Sequence, residues 1–189
     1  MKVLGFGASS SQKSINKRLV QHAMKRLRVL RPEVEAQVID LNDYEMPIFS
    51  IDRELDGGVP SHARRFFEEI GGADGLIVSY AEHNGGYTAA FKNIFDWASR
   101  IDMKVFQEKP MLALSASVGP RGGANVLRGA LESAPFFGAD VVASLSVPSF
   151  RDTFDESRGL VDEALANKFA DALGQFAGRL AKIDSTNRG

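Results

Sequence analysis

The residues with the most chemistry in them lie close together: Ser9, Ser11, Ser14 and Asn16, within Gly5-Phe6-Gly7-Ala8-Ser9-Ser10-Ser11-Gln12-Lys13-Ser14-Ile15-Asn16. This stretch leaves a short apolar run (Val3, Leu4, Phe6) and enters a helical pattern near Ser14. A loop in that position aims backbone N–H groups and the positive end of a helix dipole at one spot, which suits a phosphate. The three serines and the asparagine add side-chain donors, and two glycines permit close backbone approach. A Ser-rich turn with Ser14 as helix N-cap accounts for part of the same composition. Four polar side chains exceed what one cap needs, so an anion site is the stronger reading.

Two more loops have the right position to face that spot. Glu82-His83-Asn84-Gly85-Gly86-Tyr87 and Gly119-Pro120-Arg121-Gly122-Gly123 each follow a strand-like apolar run. Several chemistries fall away. The chain has no cysteine, which excludes disulfides, thiolate catalysis and thiolate metal sites. The three histidines, His22, His62 and His83, are scattered and make no ligand spacing on one helix face. Gly5-Phe6-Gly7 with Asp40 reads weakly as a dinucleotide fingerprint, but Ser10 stands where the third glycine belongs. Lys13-Ser14 lacks the Gly-rich spacing of a Walker motif, and no nucleophile elbow supports Ser-His-Asp hydrolysis. A flat, phosphate-terminated cofactor fits what remains: phosphate on the serine loop, ring between the two Gly-containing loops. Such a cofactor performs hydride transfer itself while the protein positions it.

The elements that must hold these loops follow from periodicity. With 189 residues, 44% hydrophobic, the chain is long and apolar enough for one domain, 1–189, around a sizeable core. Strand-like runs are expected at Lys2–Gly7, Val34–Leu41, Leu76–Ala81, Pro110–Val118 and Ala139–Val147. Helical patterns fill the gaps at Ser14–Leu30, Ser61–Ile70, Thr88–Arg100 and Ala124–Phe137, with a final amphipathic helix through Leu160, Leu165, Phe169, Phe176 and Leu180. Asn42–Pro60 is too polar and broken for a regular element, Pro148–Arg158 reads as an irregular loop, and the polar tail Asp184–Gly189 is expected to fray. Strict alternation predicts an α/β, flavodoxin-like sandwich with a five-stranded parallel sheet of order 2-1-3-4-5. Its switch point lies between the first and third strands, where the serine loop and the Glu82–Tyr87 loop meet.

Charge adds little. Residues 1–32 hold eight Lys or Arg and no acid, but the bases alternate with Leu19, Ala23 and Leu27, as on a solvated helix face. Neither nucleic acid nor membrane is an expected partner, no apolar run reaches the length of a span, and the protein is expected to be cytoplasmic. In the Thr88–Arg100 helix, Ala90, Ile94, Trp97 and Ile101 share one face while Phe91 and Phe95 flank it. One covered face does not need that much aromatic surface, which predicts a homodimer or homotetramer through Phe91 and Phe95.

The motif Gly7-Ala8-Ser9 through Ser14-Ile15-Asn16, followed by Ala81-Glu82-His83-Asn84-Gly85-Gly86-Tyr87-Thr88-Ala89-Ala90-Phe91-Lys92-Asn93 and Asp96-Trp97-Ala98-Ser99-Arg100, resembles the NAD(P)H-dependent FMN reductases over residues 1–150. This family of flavodoxin-like flavoproteins includes quinone, azo-dye and chromate reductases. The resemblance implies that Ser9, Ser14 and Asn16, with Ser11 and Ile15 beside them, hold the FMN phosphate. It further implies that Glu82, His83, Asn84 and Gly85 run along the isoalloxazine and that Ser117 and Gly119 close the other side. Asn93 becomes a candidate brace for the loop. Two positions depart from the family pattern: Ser11 stands where many members have an arginine, a charge that Lys13 or Lys17 can supply, and His83 stands where a tyrosine is usual.

The expected function is therefore an FMN-dependent oxidoreductase with a ping-pong cycle. NADH or NADPH gives hydride, and a small-molecule acceptor (quinone, azo compound, free flavin or oxidised metal species) then enters the same crevice. Its rivals are an electron carrier with no nicotinamide step and a nicotinamide dehydrogenase using Gly5, Gly7 and Asp40.

Overall fold

The structure, a computed structural model, describes residues 1–187. In chain order it runs β1 (Lys2–Ala8), α1 (Ile15–Leu30), β2 (Glu35–Ile39), a 3-10 turn (Leu41–Tyr44), α2 (Ile51–Gly57), α3 (Ser61–Gly71), β3 (Gly75–Tyr80) and α4 (Ala89–Ala98). It continues with β4 (Lys109–Ala116), α5 (Ala124–Ser133), β5 (Ala139–Val147), the single turn α6 (Phe150–Thr153), the short hairpin β6 (Phe154–Asp155) and β7 (Gly159–Leu160), and α7 (Glu163–Asn187). The main sheet is parallel in the order β2-β1-β3-β4-β5, the flavodoxin-like order expected from the alternation of elements.

Alternating strand residues feed two cores. Leu4, Phe6, Leu76, Val78, Met111 and Ala113 point to one face, where α3, α4 and α5 cover them. Val3, Ile77, Leu112 and Leu114 point to the other, where α1 and α7 lie. On that second face β1 carries Gly5 and Gly7. A Cβ on Gly5 would lie 2.5 Å from Met24 Cε, and one on Gly7 would lie 2.5 Å from the Lys17 backbone nitrogen. The close backbone approach that these glycines permit is thus the seating of α1 on β1. Ser14 caps α1 by accepting from the Lys17 N–H, and Pro32 follows its last turn.

Several expectations need correction. Asn42–Pro60 contains regular structure, because Asp40 and Ser50 cap the 3-10 turn and α2 with their side chains. Pro148–Arg158 likewise folds into α6 and most of a hairpin. Of the tail expected to fray, residues 184–187 continue α7, and residues 188–189 lie outside the described residues. Phe91 and Phe95 do not leave the core: they are 1% and 8% exposed, Phe91 against Phe6, Tyr80 and Tyr87, and Phe95 against Phe106 and Phe137. The aromatic surface of α4 is consumed within the chain. Among the described residues, no helix is long and apolar enough to cross a membrane.

The seating of α1 makes a stability prediction. Gly7→Ala should lower the unfolding free energy by about 1–3 kcal/mol, because backbone atoms of α1 occupy the space of the new methyl group. Gly57→Ala, with nothing within 4 Å of its added carbon, should show no loss from overpacking. Urea midpoints of the two variants check this, and equal midpoints would overturn it.

Candidate functional site

β1, β3 and β4 end side by side, with Ala8 opposite Tyr80 and Tyr80 opposite Ser115. Three loops therefore leave the same sheet edge. The first is the serine loop, which folds on itself: the Ser9 N–H donates to the Gly7 carbonyl (2.8 Å), the Ser11 N–H to Ser9 Oγ (3.1 Å), and the Ser14 N–H to the Ser11 carbonyl (3.1 Å). Ser9 and Ser14 are buried, and each hydroxyl oxygen accepts a backbone N–H, leaving its own proton to donate outward. The N–H groups of Ile15 and Asn16, in the first turn of α1, have no partner among the described residues. Helix dipole and unpaired donors thus coincide.

Asn16 serves this site differently from expectation. Its Oδ1 accepts from Ser79 Oγ (2.8 Å) and from the Ala116 N–H (2.9 Å), while its Nδ2 donates to the Ala116 carbonyl (3.1 Å). The residue is 2% exposed. Its side chain straps α1 to the ends of β3 and β4, so only its backbone N–H can face a ligand. Lys17 is also committed, to Asp40. Burial pushes the Asp40 carboxyl up, but Lys17 and the Asn42 amides outweigh this and hold it below the ordinary carboxylate range. Asp40 is thereby taken by Lys17 and by the 3-10 turn that it caps, and Gly5 and Gly7 by α1, which leaves the dinucleotide reading without free groups. Lys13 is exposed and has no ion pair among the described residues.

The second loop is held at three points. Thr88 Oγ1 donates to the Ala8 carbonyl (2.9 Å) and caps α4, and His83 and Gly86 exchange two backbone hydrogen bonds. Between them Asn84 and Gly85 take φ of 52° and 82°, a hairpin turn with positive φ at both central positions, which explains the Asn-Gly pair. The third point is Glu82. Its Oε2 accepts from the N–H groups of Asn125 and Val126, each at 3.0 Å, a contact that neither loop sequence announces. In the third loop, Ser117 Oγ donates to the Gly119 carbonyl, which also accepts from the N–H groups of Gly122 and Ser149.

A hollow of about 280 Å³ opens where the loops meet. Of the expected residues, Ser9, Ser11, Ser14, Ile15, Asn16, Glu82, His83 and Ser117 line it, whereas Asn84, Gly85 and Gly119 do not. Lys13, Ala81, Ala116 and Val118 complete the wall. On the other side of the serine loop, a second hollow of about 400 Å³ is bounded by Ser10, by the 3-10 turn and the chain to Ile48, and by α4. The polar segment there is braced by α4: Asn93 accepts from the Phe49 N–H and donates to the Met46 and Pro47 carbonyls, and Trp97 Nε1 donates to Pro47. Arg100 pairs with Glu54 of α2.

Comparison with known proteins bears on what this edge does. The sequence profile of the NADPH-dependent FMN reductases matches residues 1–152. An NAD(P)H-dependent FMN reductase of Pseudomonas aeruginosa is 28% identical over 165 residues, covering 86% of each chain. A 2-hydroxy-1,4-benzoquinone reductase of a Burkholderia species is 32% identical over 125 residues, covering 66% of this chain and 64% of that protein. The matched quinone reductases of Escherichia coli and Arabidopsis thaliana are spanned over 43% and 61% of their length. In fold, the chain is similar to a flavoenzyme NAD(P)H:(acceptor) oxidoreductase of Paracoccus denitrificans, with a TM-score of 0.75, 20% identity, and coverage of 96% and 97% of the two chains.

The strap makes its own prediction. Asn16→Leu leaves a buried backbone N–H, a carbonyl and a hydroxyl unpaired, so the unfolding free energy should fall by about 3 kcal/mol or more. Chemical denaturation measures it, and a loss below about 1 kcal/mol would show that water replaces the side chain.

Proposed function

The chain belongs to the NADPH-dependent FMN reductase family, and from that premise we propose how its own residues serve the activity. It is an FMN-dependent oxidoreductase that draws on NAD(P)H. The observation that carries the assignment of residues is the coincidence at the α1 end of the first hollow. Two buried hydroxyls with protons to donate, and two N–H groups and one ammonium without partners among the described residues, line it there. That donor set fits a phosphate monoester.

In this reading Ser9 and Ser14 donate their hydroxyl protons to the FMN phosphate, and Ile15 and Asn16 donate backbone N–H groups. Lys13 supplies the charge that Ser11 lacks. The loop from Glu82 to Gly85 and the segment from Ser117 to Gly119 take the ring between them, offering backbone N–H groups to its polar edge. When bound, FMN supplies the hydride and electron transfer. The protein's part is to orient it and to leave one face of the site open to a second molecule. The open side of the first hollow, where a second molecule can touch the ring, is the place we assign to that molecule, and the segment that Asn93 and Trp97 hold is a wall beyond the serine loop. The wall favours an enzyme over a carrier that meets its partners at an open edge. NAD(P)H and then an acceptor use the open side in turn, which is a ping-pong order. A quinone is the acceptor we favour, on the likeness to the benzoquinone reductase.

We also assign a homodimer, through a surface other than Phe91 and Phe95. α2 buries no residue: its Ile51 and Leu55, one turn apart, are 66% and 81% exposed, and Ile48 in the chain just before it is 73% exposed. A helix of seven residues is not stable without a covered face. Ile48 borders the second hollow, so another copy of this chain seated on the stripe would complete that wall.

Three measurements test these assignments. Purified protein should take up FMN, and its visible bands should bleach under anaerobic NADPH; persistent bands would support the carrier, and no uptake would remove the flavin reading. Ser14→Ala should weaken FMN roughly tenfold or more, since one charge-assisted bond is worth about 1.5–3 kcal/mol, and should leave riboflavin nearly unchanged. Equal weakening of both would place the phosphate elsewhere. Ile51→Glu should sediment as a smaller species than the wild type at micromolar concentration, and a monomeric wild type would end the dimer assignment.

A further inference from the structure

α5 begins without a side-chain cap of its own, since its N-cap residue is Gly123, with φ of 79°. The Ala124 N–H finds the Arg121 carbonyl and the Leu127 N–H finds Gly123. The two N–H groups between them, on Asn125 and Val126, both end on one oxygen of Glu82, more than forty residues earlier in the chain. A carboxylate on a helix N-terminus meets the dipole and its unpaired donors together, so this half-buried side chain fills the anion position of α5. At the α1 end of the same sheet edge no carboxylate accepts from the Ile15 or Asn16 N–H among the described residues.

Glu82 has a second consequence. Its backbone belongs to the loop that walls one side of the first hollow, and its carboxylate grips the helix that follows Gly119–Gly123 on the other side. One side chain therefore ties the two walls together. We infer that Glu82 is the positioning residue of the flavin site: it closes the α5 N-terminus against phosphate and holds both ring walls in register, so that the cofactor is accepted in one orientation, phosphate toward α1. This rests on the flavin reading above. Glu82 acts through α5 and the loop backbone, and no proton transfer is asked of it.

The test compares full-length wild type, Glu82→Ala and Glu82→Gln with three probes: FMN, riboflavin and inorganic phosphate. Because Glu82 acts at the ring and not at the phosphate, Glu82→Ala should weaken FMN and riboflavin alike, by roughly tenfold, in contrast to the FMN-selective loss of Ser14→Ala. Glu82→Gln keeps an oxygen that can accept both N–H groups and should stay within about threefold of wild type for both flavins. In the flavin-free chain, phosphate should shift the amide resonances of Ile15 and Asn16 in wild type, and in Glu82→Ala those of Asn125 and Val126 as well. Melting temperatures show whether each variant is folded, and if the alanine variant is not, the glutamine variant decides. Retention of both flavins supports the cap, whereas a loss as large as tenfold shows that the charge itself sets affinity and overturns the positioning role. Wild-type flavin affinities in a folded Glu82→Ala, or Asn125 and Val126 amides unmoved by phosphate, also overturn it while leaving the flavin reading intact. A wild type that takes up neither flavin removes both.

Discussion

A first side-chain carbon on Gly7 would lie 2.5 Å from the Lys17 nitrogen, so α1 can rest on β1 only where the strand carries hydrogens in place of side chains. That short separation sets the height of the first turn of α1 above the sheet edge, and with it the position of the unpaired N–H groups of Ile15 and Asn16. The Asn16 side chain then fixes the same turn laterally, through Ala116 on β4 and Ser79 on β3. Because both ends of its amide are satisfied in a buried setting, any shift of α1 would break several bonds together. The serine loop inherits its shape from these two constraints, since its last residue is the cap of the helix that they hold.

Much of this was legible in the sequence, and the reasons are particular. Buried strands of a parallel sheet read as apolar runs whichever face they serve, so the five main strands stood out. The serine loop stood out because polar donors between such a run and a helix have few other uses. Contacts between residues distant in sequence stayed hidden. Nothing in the pattern of Asn16 separates a ligand donor from a strap. Nothing in Glu82 points to Asn125, because the sheet alone decides that these loops become neighbours. Phe91 and Phe95 misled for a related reason. Periodicity assigns one face to the core, but α4 packs in a corner between β3, α3 and the chain around Phe106 and Phe137, and a corner buries more than one face.

The segment after β2 shows how a stretch without a hydrophobic pattern still becomes a wall. Its backbone groups at Met46, Pro47 and Phe49 are satisfied by Asn93 and Trp97, two side chains of α4, whose core face is buried. This substitutes tertiary hydrogen bonds for secondary structure. α2, beyond that anchor, is held by the Ser50 cap and by the surface pair of Arg100 and Glu54, which is worth at most about 1 kcal/mol. Stability therefore falls off along the segment, from the braced wall toward the short, exposed helix at its tip.

The second core is completed by the last element in chain order. Phe169, Leu173, Phe176 and Leu180 of α7 cover Ile77, Leu112 and Val147, and Gly75 lacks a side chain where Leu180 and Phe176 press against it. On the ribosome this ordering has a cost in time. The strands that α7 covers emerge first, with only α1 on that face, and synthesis of the 25 residues of α7 takes about one to five seconds at ordinary elongation rates. During that interval the nascent sheet exposes the apolar surface that α7 later buries, so closure of the second core waits for α7. A ribosome stalled within α7 would present a chain whose three site loops are made and whose sheet is still uncovered beside α1.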